Sequence, residues 1–264
     1  MLDHITPVIL TFNEEANIDR TLSALRWAKR IVVVDSGSTD STLAILAKNP
    51  RIAVFSRRFD THGQQWKFAI NETSIRTDWI FRLDADYFVT PELIDEIAHL
   101  DPAAPVSAYK IAFDFAVCGT PLRASLYPAN TVLFRAGQAA PLDRGHSEVW
   151  TIEGPVTELK GRILHDDRKP VPDWIIAQGR YVTREYSYLR ATAQLRFPDA
   201  IRLRPPLMPL LSFLYCYFIR GLILDGRAGL FYCLQRLLVE TAVSLIVLEG
   251  DLKRENELST RRSD

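Results

Sequence analysis

Asp84 and Asp86 flank a single alanine directly after the apolar run WIFRL at residues 79–83. If that run is a strand of an open α/β sheet, both carboxylates stand at its carboxyl end, where such sheets bind ligands. Two acids there suit a hard divalent cation that also takes phosphate oxygens, because Mg²⁺ and Mn²⁺ favour oxygen donors. An Asp-x-Asp is common by chance, and alone it serves equally as a turn or a helix cap before Pro91. Asp35 closes a second apolar run, IVVV, and opens the turn DSGSTDST. Its carboxylate can accept hydrogen bonds from a base or ribose, while Ser36, Gly37, Ser38 and Thr39 shape a tight turn and cap the next helix. A third apolar run, at residues 5–12, leads into Thr11, Asn13 and Glu14. Three strand ends then bring five or six polar side chains to one sheet edge, which turn composition explains poorly. No Gly-x-Gly-x-x-Gly or Walker loop is present, so the phosphate-cradling loops of dinucleotide and P-loop proteins are excluded.

The elements that must hold these residues can be read from the apolar pattern. Residues 5–12, 31–34, 52–55 and 79–83 are short, nearly continuous apolar runs, the pattern of strands buried on both faces. Between them lie helical stretches, the first expected after Asn13 as N-cap and the second after Ser38 or Thr39. The fold class is therefore α/β, a Rossmann-like, mostly parallel sheet with helices on both faces. DPAAP at residues 101–105 breaks the pattern, and the strands and long loops beyond it suggest a second half. RLRPPLMP at 202–209 breaks it again before a helical C-terminal region. This places segments at 1–104, 105–199 and 200–264.

In combination, TFNEEANI (11–18), VVVDSGSTDST (32–42), GQQWKFAI (63–70) and FRLDADY (81–87) resemble the family 2 glycosyltransferases, inverting enzymes of the GT-A fold. GHSE (145–148), LHDDRKP (164–170) and LDGRAGL (224–230) extend the resemblance to the bacterial lipopolysaccharide-core and exopolysaccharide subgroup. The resemblance implies transfer of a sugar from a nucleoside diphosphate sugar, expected to be a UDP-sugar, to a glycan or lipid-linked acceptor. Thr11, Asn13, Glu14, Asp35 and Asp84 would bind the donor. Where relatives carry Gln-Arg or Gln-Lys before Asn, this chain has Gln64, Gln65, Trp66 and Lys67, so Lys67 is the cation expected at the diphosphate. Asp86 would coordinate Mg²⁺ or Mn²⁺, with His165 as a further ligand or diphosphate contact. Inversion requires a base for the acceptor hydroxyl; Glu148 is preferred, Asp143 is the alternative, Asp166 and Asp167 rank lower, and His146 would orient the base or acceptor. Two other readings compete. A haloacid-dehalogenase-like phosphatase also uses an Asp-x-Asp after a strand, but on the first strand and with Thr or Val where Phe88 stands here. A catalytically silent module that binds nucleotide sugar would keep the same residues.

Composition bounds the setting. Thirty-two basic and thirty-two acidic residues cancel, so bulk attraction to nucleic acid is absent and no nucleic-acid partner is expected. Cys118, Cys216 and Cys233 form neither a disulfide framework nor a Cys-x-x-Cys pair, which fits a reducing compartment. The opening MLDHITPVILTFNEE lacks signal-peptide features, and a cytoplasmic location is expected. The tail bears on a membrane. Its longest uncharged run, residues 205–219, is shorter than the roughly 20 residues of a span. Between residues 230 and 248, Arg236, Glu240 and Ser244 form a polar stripe on an otherwise apolar helix. Such a helix is buried in its own protein, joins a homo-oligomer, or lies peripherally on the inner face of the cytoplasmic membrane. In the last case Phe213, Tyr215, Tyr217 and Phe218 would face the interface, with Arg202, Arg204, Arg220 and Arg227 near anionic headgroups. The Arg and Tyr residues at 180–190 read as a solvated helix face.

Overall fold

The computed structural model describes residues 1–144, 147–192, 195, 197–204 and 207–263, and within them the side chains of all but 143, 144, 147, 148, 197, 198, 259 and 261–263. The chain forms two compact units, one of Met1–Pro121, Leu126–Asp143 and Ser147–Lys169, the other of Leu122–Ser125 and the chain from Pro170 on.

The first unit runs β1 (Ile5–Thr11), α1 (Ile18–Ser23), β2 (Ile31–Asp35), α2 (Thr42–Leu46), β3 (Ile52–Ser56), α3 (His62–Asn71), β4 (Trp79–Asp84), β5 (Tyr87–Val89) and α4 (Pro91–Ala98). It continues with β6 (Ala108–Val117), β7 (Thr120–Leu122), β8 (Asn130–Arg135), β9 (Ala139–Arg144), β10 (Ser147–Ile152) and β11 (Val156–His165). The main sheet has the order β3-β2-β1-β4-β8-β6-β11-β5, with β7 beside β6, and β9 and β10 form a separate hairpin. β3, β2, β1 and β4 are parallel, as expected. Beyond β4 the sheet is mixed: β8 runs antiparallel to β4 and β6, β11 parallel to β6, and β5 antiparallel to β11.

Both faces are covered, which is why the first strands read as unbroken apolar runs. Val8, Val32, Val34 and Ile80 pack with Trp66 and Ala69 of α3 on one face. Ile9, Val33, Phe81 and Leu83 pack with Ile18, Leu22, Leu93 and Ile97 of α1 and α4 on the other. Thr90 caps α4 by accepting from the Leu93 N–H at 3.3 Å, with Pro91 in the first turn. α4 then lies so close to β11 that a Cβ on Gly161 would stand 2.6 Å from the Leu93 Cα. The Glu96 carboxylate accepts from the N–H groups of Lys160 and Gly161 at 3.0 and 2.6 Å. The helix starts differ from expectation. α1 begins at Ile18 after Asn17, and α2 at Thr42 after Ser41, because Asn13, Ser38 and Thr39 hold one another in a joint loop.

The second unit contains α5 (Val171–Ala191), α6 (Phe197–Arg202), α7 (Leu207–Leu214), a π-helical turn at Tyr215–Ile219, a 3-10 turn at Leu222–Asp225, and α8 (Gly226–Ser263). Val182 and Leu189 of α5 pack against Val243 and Val247 of α8. Beside them Arg202 donates to Glu185 at 2.7 Å and to both oxygens of Glu240 at 2.9 and 2.6 Å, while Arg236 reaches Glu240 at 2.9 Å. Burial opposes the Arg202 charge, but these carboxylates outweigh it and its pKa is raised. Arg202 is therefore an internal ion-pair partner, not a headgroup contact. Arg204, Arg220 and Arg227 are exposed, as are Leu207, Leu210, Leu211, Leu214, Tyr215, Phe218 and Ile219, whereas Phe213 and Tyr217 are half-buried and stack at 5.4 Å. Uncharged runs gave no span, but the continuous segment Leu222–Leu258 is long and apolar enough to cross a membrane by length and composition.

Candidate active site

The parallel register sets the polar strand ends side by side. Thr11 pairs with Asp35 across β1 and β2, and Leu10 with Asp84 across β1 and β4. Thr11 Oγ1 donates to Asp35 Oδ1 at 3.1 Å. Asp35 also accepts from the N–H groups of Gly37 and Ser38 at 2.9 Å each and from Ser38 Oγ at 2.5 Å. Asp35 is thus buried and spent on its own turn, where Gly37 at φ +92° takes a left-handed conformation that favours glycine. Asn13, at φ +52°, accepts from the Thr39 N–H at 2.8 Å, and its own N–H donates to Ser38 Oγ at 2.9 Å. The N–H groups of Glu14 and Glu15 donate to Thr42 and Asp40 at 2.8 and 3.0 Å. The loops after β1 and β2 are zipped together along one sheet edge. α3 joins them through the buried Gln65, whose Nε2 donates to Ser36 Oγ at 2.8 Å. Lys67, on the same helix, is exposed.

Asp86 lies where the chain leaves β4 and enters β5, and His165 ends β11 as the register partner of Tyr87. This brings His165 Nε2 to 3.0 Å from Asp86 Oδ2. The imidazole sits in an aromatic box, with ring centroids of Tyr87, Phe115 and Tyr127 at 5.3, 4.7 and 4.9 Å. The Tyr87 and Tyr127 hydroxyls hydrogen-bond to each other. Burial disfavours both charges, but mutual attraction prevails: the Asp86 pKa falls below the usual carboxylate value and the His165 pKa rises. Asp86 Oδ1 and His165 Nδ1 are buried with no hydrogen-bond partner among the described residues. The orphaned Asp86 Oδ1 is an oxygen donor of the kind a divalent cation takes, and His165 in its neutral form offers a nitrogen donor on the same side of the sheet edge. Among the described residues no group of three His, Cys, Asp or Glu could hold a metal ion. Such an ion would complete its shell with water and diphosphate oxygens, as Mg²⁺ commonly does.

The segment after His165 is bound to the loop after β1. The Asn17 Nδ2 donates to Glu14 Oε2 and Asp167 Oδ1 at 2.9 Å each, and its Oδ1 accepts from the Arg168 N–H at 2.9 Å. Arg20 and Arg168 donate to Asp166 Oδ2 at 2.6 and 2.8 Å, and the Gly119 N–H reaches Asp166 Oδ1 at 3.2 Å. Lys169 pairs with Glu14. Burial, then the Asp86 charge, push Glu14 up to about 7 against the pull of Lys169 and Asn17. Asp166 is fully buried in this network, and the half-buried Asp167 accepts from Asn17.

The other base candidates stand on the hairpin, Asp143 in β9 and Glu148 in β10; their side chains, and His146 as a whole, lie outside the described residues. Trp150 of β10 packs at 5.7 Å from Trp66 of α3 and 4.8 Å from Phe134. Arg82, buried in β4 two residues before Asp84, lies 5.9 Å from the Trp66 ring and 5.1 Å from the Trp150 ring. The sequence gives no direct sign of this cation beside two touching indoles, nor of the parts played by Asn17, Arg20 and Lys169. The motif LHDDRKP was the only signal for the last of these. An open apolar groove of about 450 Å³, lined by Trp27, Phe88, Pro91 and Ile94 among others, contains none of the site residues.

Residues 6–123 match the family described as "Glycosyl transferase family 2". A glycosyltransferase of Rickettsia bellii is 37% identical over 97 residues, 36% of this chain and 32% of that protein, so the match spans about a third of the relative's length. The lipopolysaccharide core biosynthesis glycosyltransferase LpsC of Rhizobium meliloti is 26% identical over 236 residues, 85% of this chain and 84% of LpsC. In fold, the chain is similar to S. aureus TarS 1-349, solved in complex with UDP-GlcNAc, with a TM-score of 0.53 and 14% identity over 94% of this chain and 92% of TarS 1-349. Residues 6–123 thus carry a match to glycosyl transferase family 2, on an α/β fold of the GT-A kind.

Proposed function

We propose that this chain transfers a sugar, with inversion, from a nucleoside diphosphate sugar to a glycan or lipid-linked acceptor in lipopolysaccharide or polysaccharide assembly. The observation that carries the reading is the Asp86–His165 pair, with its orphaned Asp86 Oδ1, beside the zipped loops that hold Thr11, Asn13 and Asp35. The loops would receive the nucleoside of a UDP-sugar, with Asp84 near the ribose or sugar and Lys67 or Lys169 near the diphosphate. Asp86 and His165 would hold Mg²⁺ or Mn²⁺, which supplies charge neutralisation for the departing diphosphate. The aromatic box and the β11 register fix the imidazole before substrate arrives, so little reorganisation is needed. On the opposite face of the sugar, Glu148 or Asp143 would take the proton of the attacking acceptor hydroxyl.

The name of LpsC supports a lipopolysaccharide acceptor. The exposed apolar patch from Leu207 to Leu224, with Arg220 exposed within it and Arg227 just beyond it, supports peripheral contact with an anionic membrane at its cytoplasmic face. The test is a panel of nucleotide sugars with Mn²⁺, read by thermal shift and by release of nucleoside diphosphate. One sugar nucleotide should stabilise the protein and turn over with a lipopolysaccharide-type acceptor. Phosphate release without sugar transfer would instead support the phosphatase, and binding without turnover on any acceptor would support the silent module.

A further inference from the structure

We propose that α8 pairs with α8 of a second copy of this chain, antiparallel, through an exposed leucine seam centred on Thr241. One side of α8 is spent within its own unit, where Val239, Val243 and Val247 are buried. The opposite side carries Leu230, Leu234, Leu238, Leu245, Leu248 and Leu252, each 39–62% exposed. From Leu234 on, with the exposed Thr241 included, the spacing alternates four and three residues. At 3.6 residues per turn these seven side chains fall within an arc of roughly 80°. That is the narrow a/d seam of a helix meeting another helix, whereas a helix lying in lipid carries a wider apolar face.

Charge selects the partner and its direction. Arg227 and Glu255 are both exposed, at opposite ends of the seam. A two-fold axis at Thr241 sets Leu230 against Leu252, Leu234 against Leu248, and Arg227 against Glu255. The surface is thus complementary to itself, as a closed dimer requires. A parallel pair would instead set Arg227 against Arg227 and Glu255 against Glu255. The inference does not depend on the activity proposed above.

Sedimentation of the full chain over a range of concentrations reads it. The expected mass is twice 30.0 kDa. The pair Leu234→Glu and Leu245→Glu should halve it while far-ultraviolet circular dichroism keeps its helical signal. Arg227→Glu should weaken the dimer and the further change Glu255→Arg should restore it. If the leucine variants fail to fold, cross-linking remains. In a Cys118→Ser background, Leu230→Cys with Leu252→Cys should give a disulfide-linked dimer, and either alone should not. Within one chain these positions are about 33 Å apart along the helix, so the bond can form only between copies. A monomer at every concentration, or a dimer untouched by these changes, overturns the proposal. So does a monomer whose binding to anionic vesicles is lost with the same leucines, because the seam would then face lipid.

Discussion

Replacing Arg202 by Met should destabilise the second unit by about 3 kcal/mol at neutral pH. Arg202 makes three hydrogen bonds of 2.6–2.9 Å to two carboxylates, Glu240 at 1% exposure and Glu185 at 3%. Removing one partner of a buried pair typically costs about 3–5 kcal/mol, because the remaining charge stays buried without compensation. The lower end applies, since Arg236 still holds Glu240 at 2.9 Å. For a protein of this size about 3 kcal/mol lowers the melting temperature by roughly 6–12 °C. The pH dependence has a definite sign. In the variant the buried carboxylates have lost a cation, and burial penalises only their ionised forms. Their penalty is absent below the unfolded value, roughly 4.3 for a glutamate, and grows as pH rises toward the folded value. The loss should therefore be larger at pH 7.5 than at pH 5 in thermal or urea unfolding. Adding Glu240→Leu should recover part of it. A variant within about 1 kcal/mol of the parent at pH 7.5, or one with equal losses at both pH values, would refute a buried network held by Arg202.

Asp86→Asn or His165→Gln should abolish metal-dependent turnover and remove the Mn²⁺ effect on nucleotide affinity while the protein stays folded; full activity of the parent in metal-free buffer would rule the pair out as ligands. Glu148→Gln should lower transfer by about 10²- to 10⁴-fold with donor affinity kept; if Asp143→Asn does this instead, the base is Asp143. Gly161→Ala should cost about 1–3 kcal/mol in unfolding, since its Cβ would stand 2.6 Å from the Leu93 backbone; an unchanged midpoint would mean that α4 lies farther from β11. The full chain should float with anionic vesicles at low salt and less so at high salt, each interfacial Arg adding on the order of 1 kcal/mol; a protein that stays at the bottom removes the membrane.

What could be read before folding was what local chemistry records. β1, β2 and β4 were legible to about one residue because strands covered on both faces leave continuous apolar runs, and the carboxylates at their ends could be placed at once. Asn13 misled as an N-cap: its oxygen goes to the Thr39 N–H, on a loop 26 positions away, rather than to its own helix. Arg202 misled for the same kind of reason, since its carboxylate partners lie 17 and 38 positions along the chain. His165 is legible as a candidate ligand or diphosphate contact, but its pairing with Asp86 is not, because it depends on β5 crossing to the far edge of the sheet to pair with β11. The cluster of Arg82 with Trp66 and Trp150 likewise depends on three elements that no window of sequence joins.

The crossing of β5 carries a consequence for how such a protein can change. Asp86 and His165 are 79 positions apart, yet their meeting is fixed by ladder bonds between β5 and β11. The hairpin β9–β10 and the loop that carries Tyr127 lie between them in sequence but outside that ladder. Insertions and deletions there can reshape the surface around the site without altering the register that joins the pair. A shift of one residue within β11, by contrast, would turn the imidazole to the other face of the sheet. The stretch whose register cannot slip is therefore residues 163–165, which pair with β5, whereas β11 already carries an irregularity between Glu158 and Arg162.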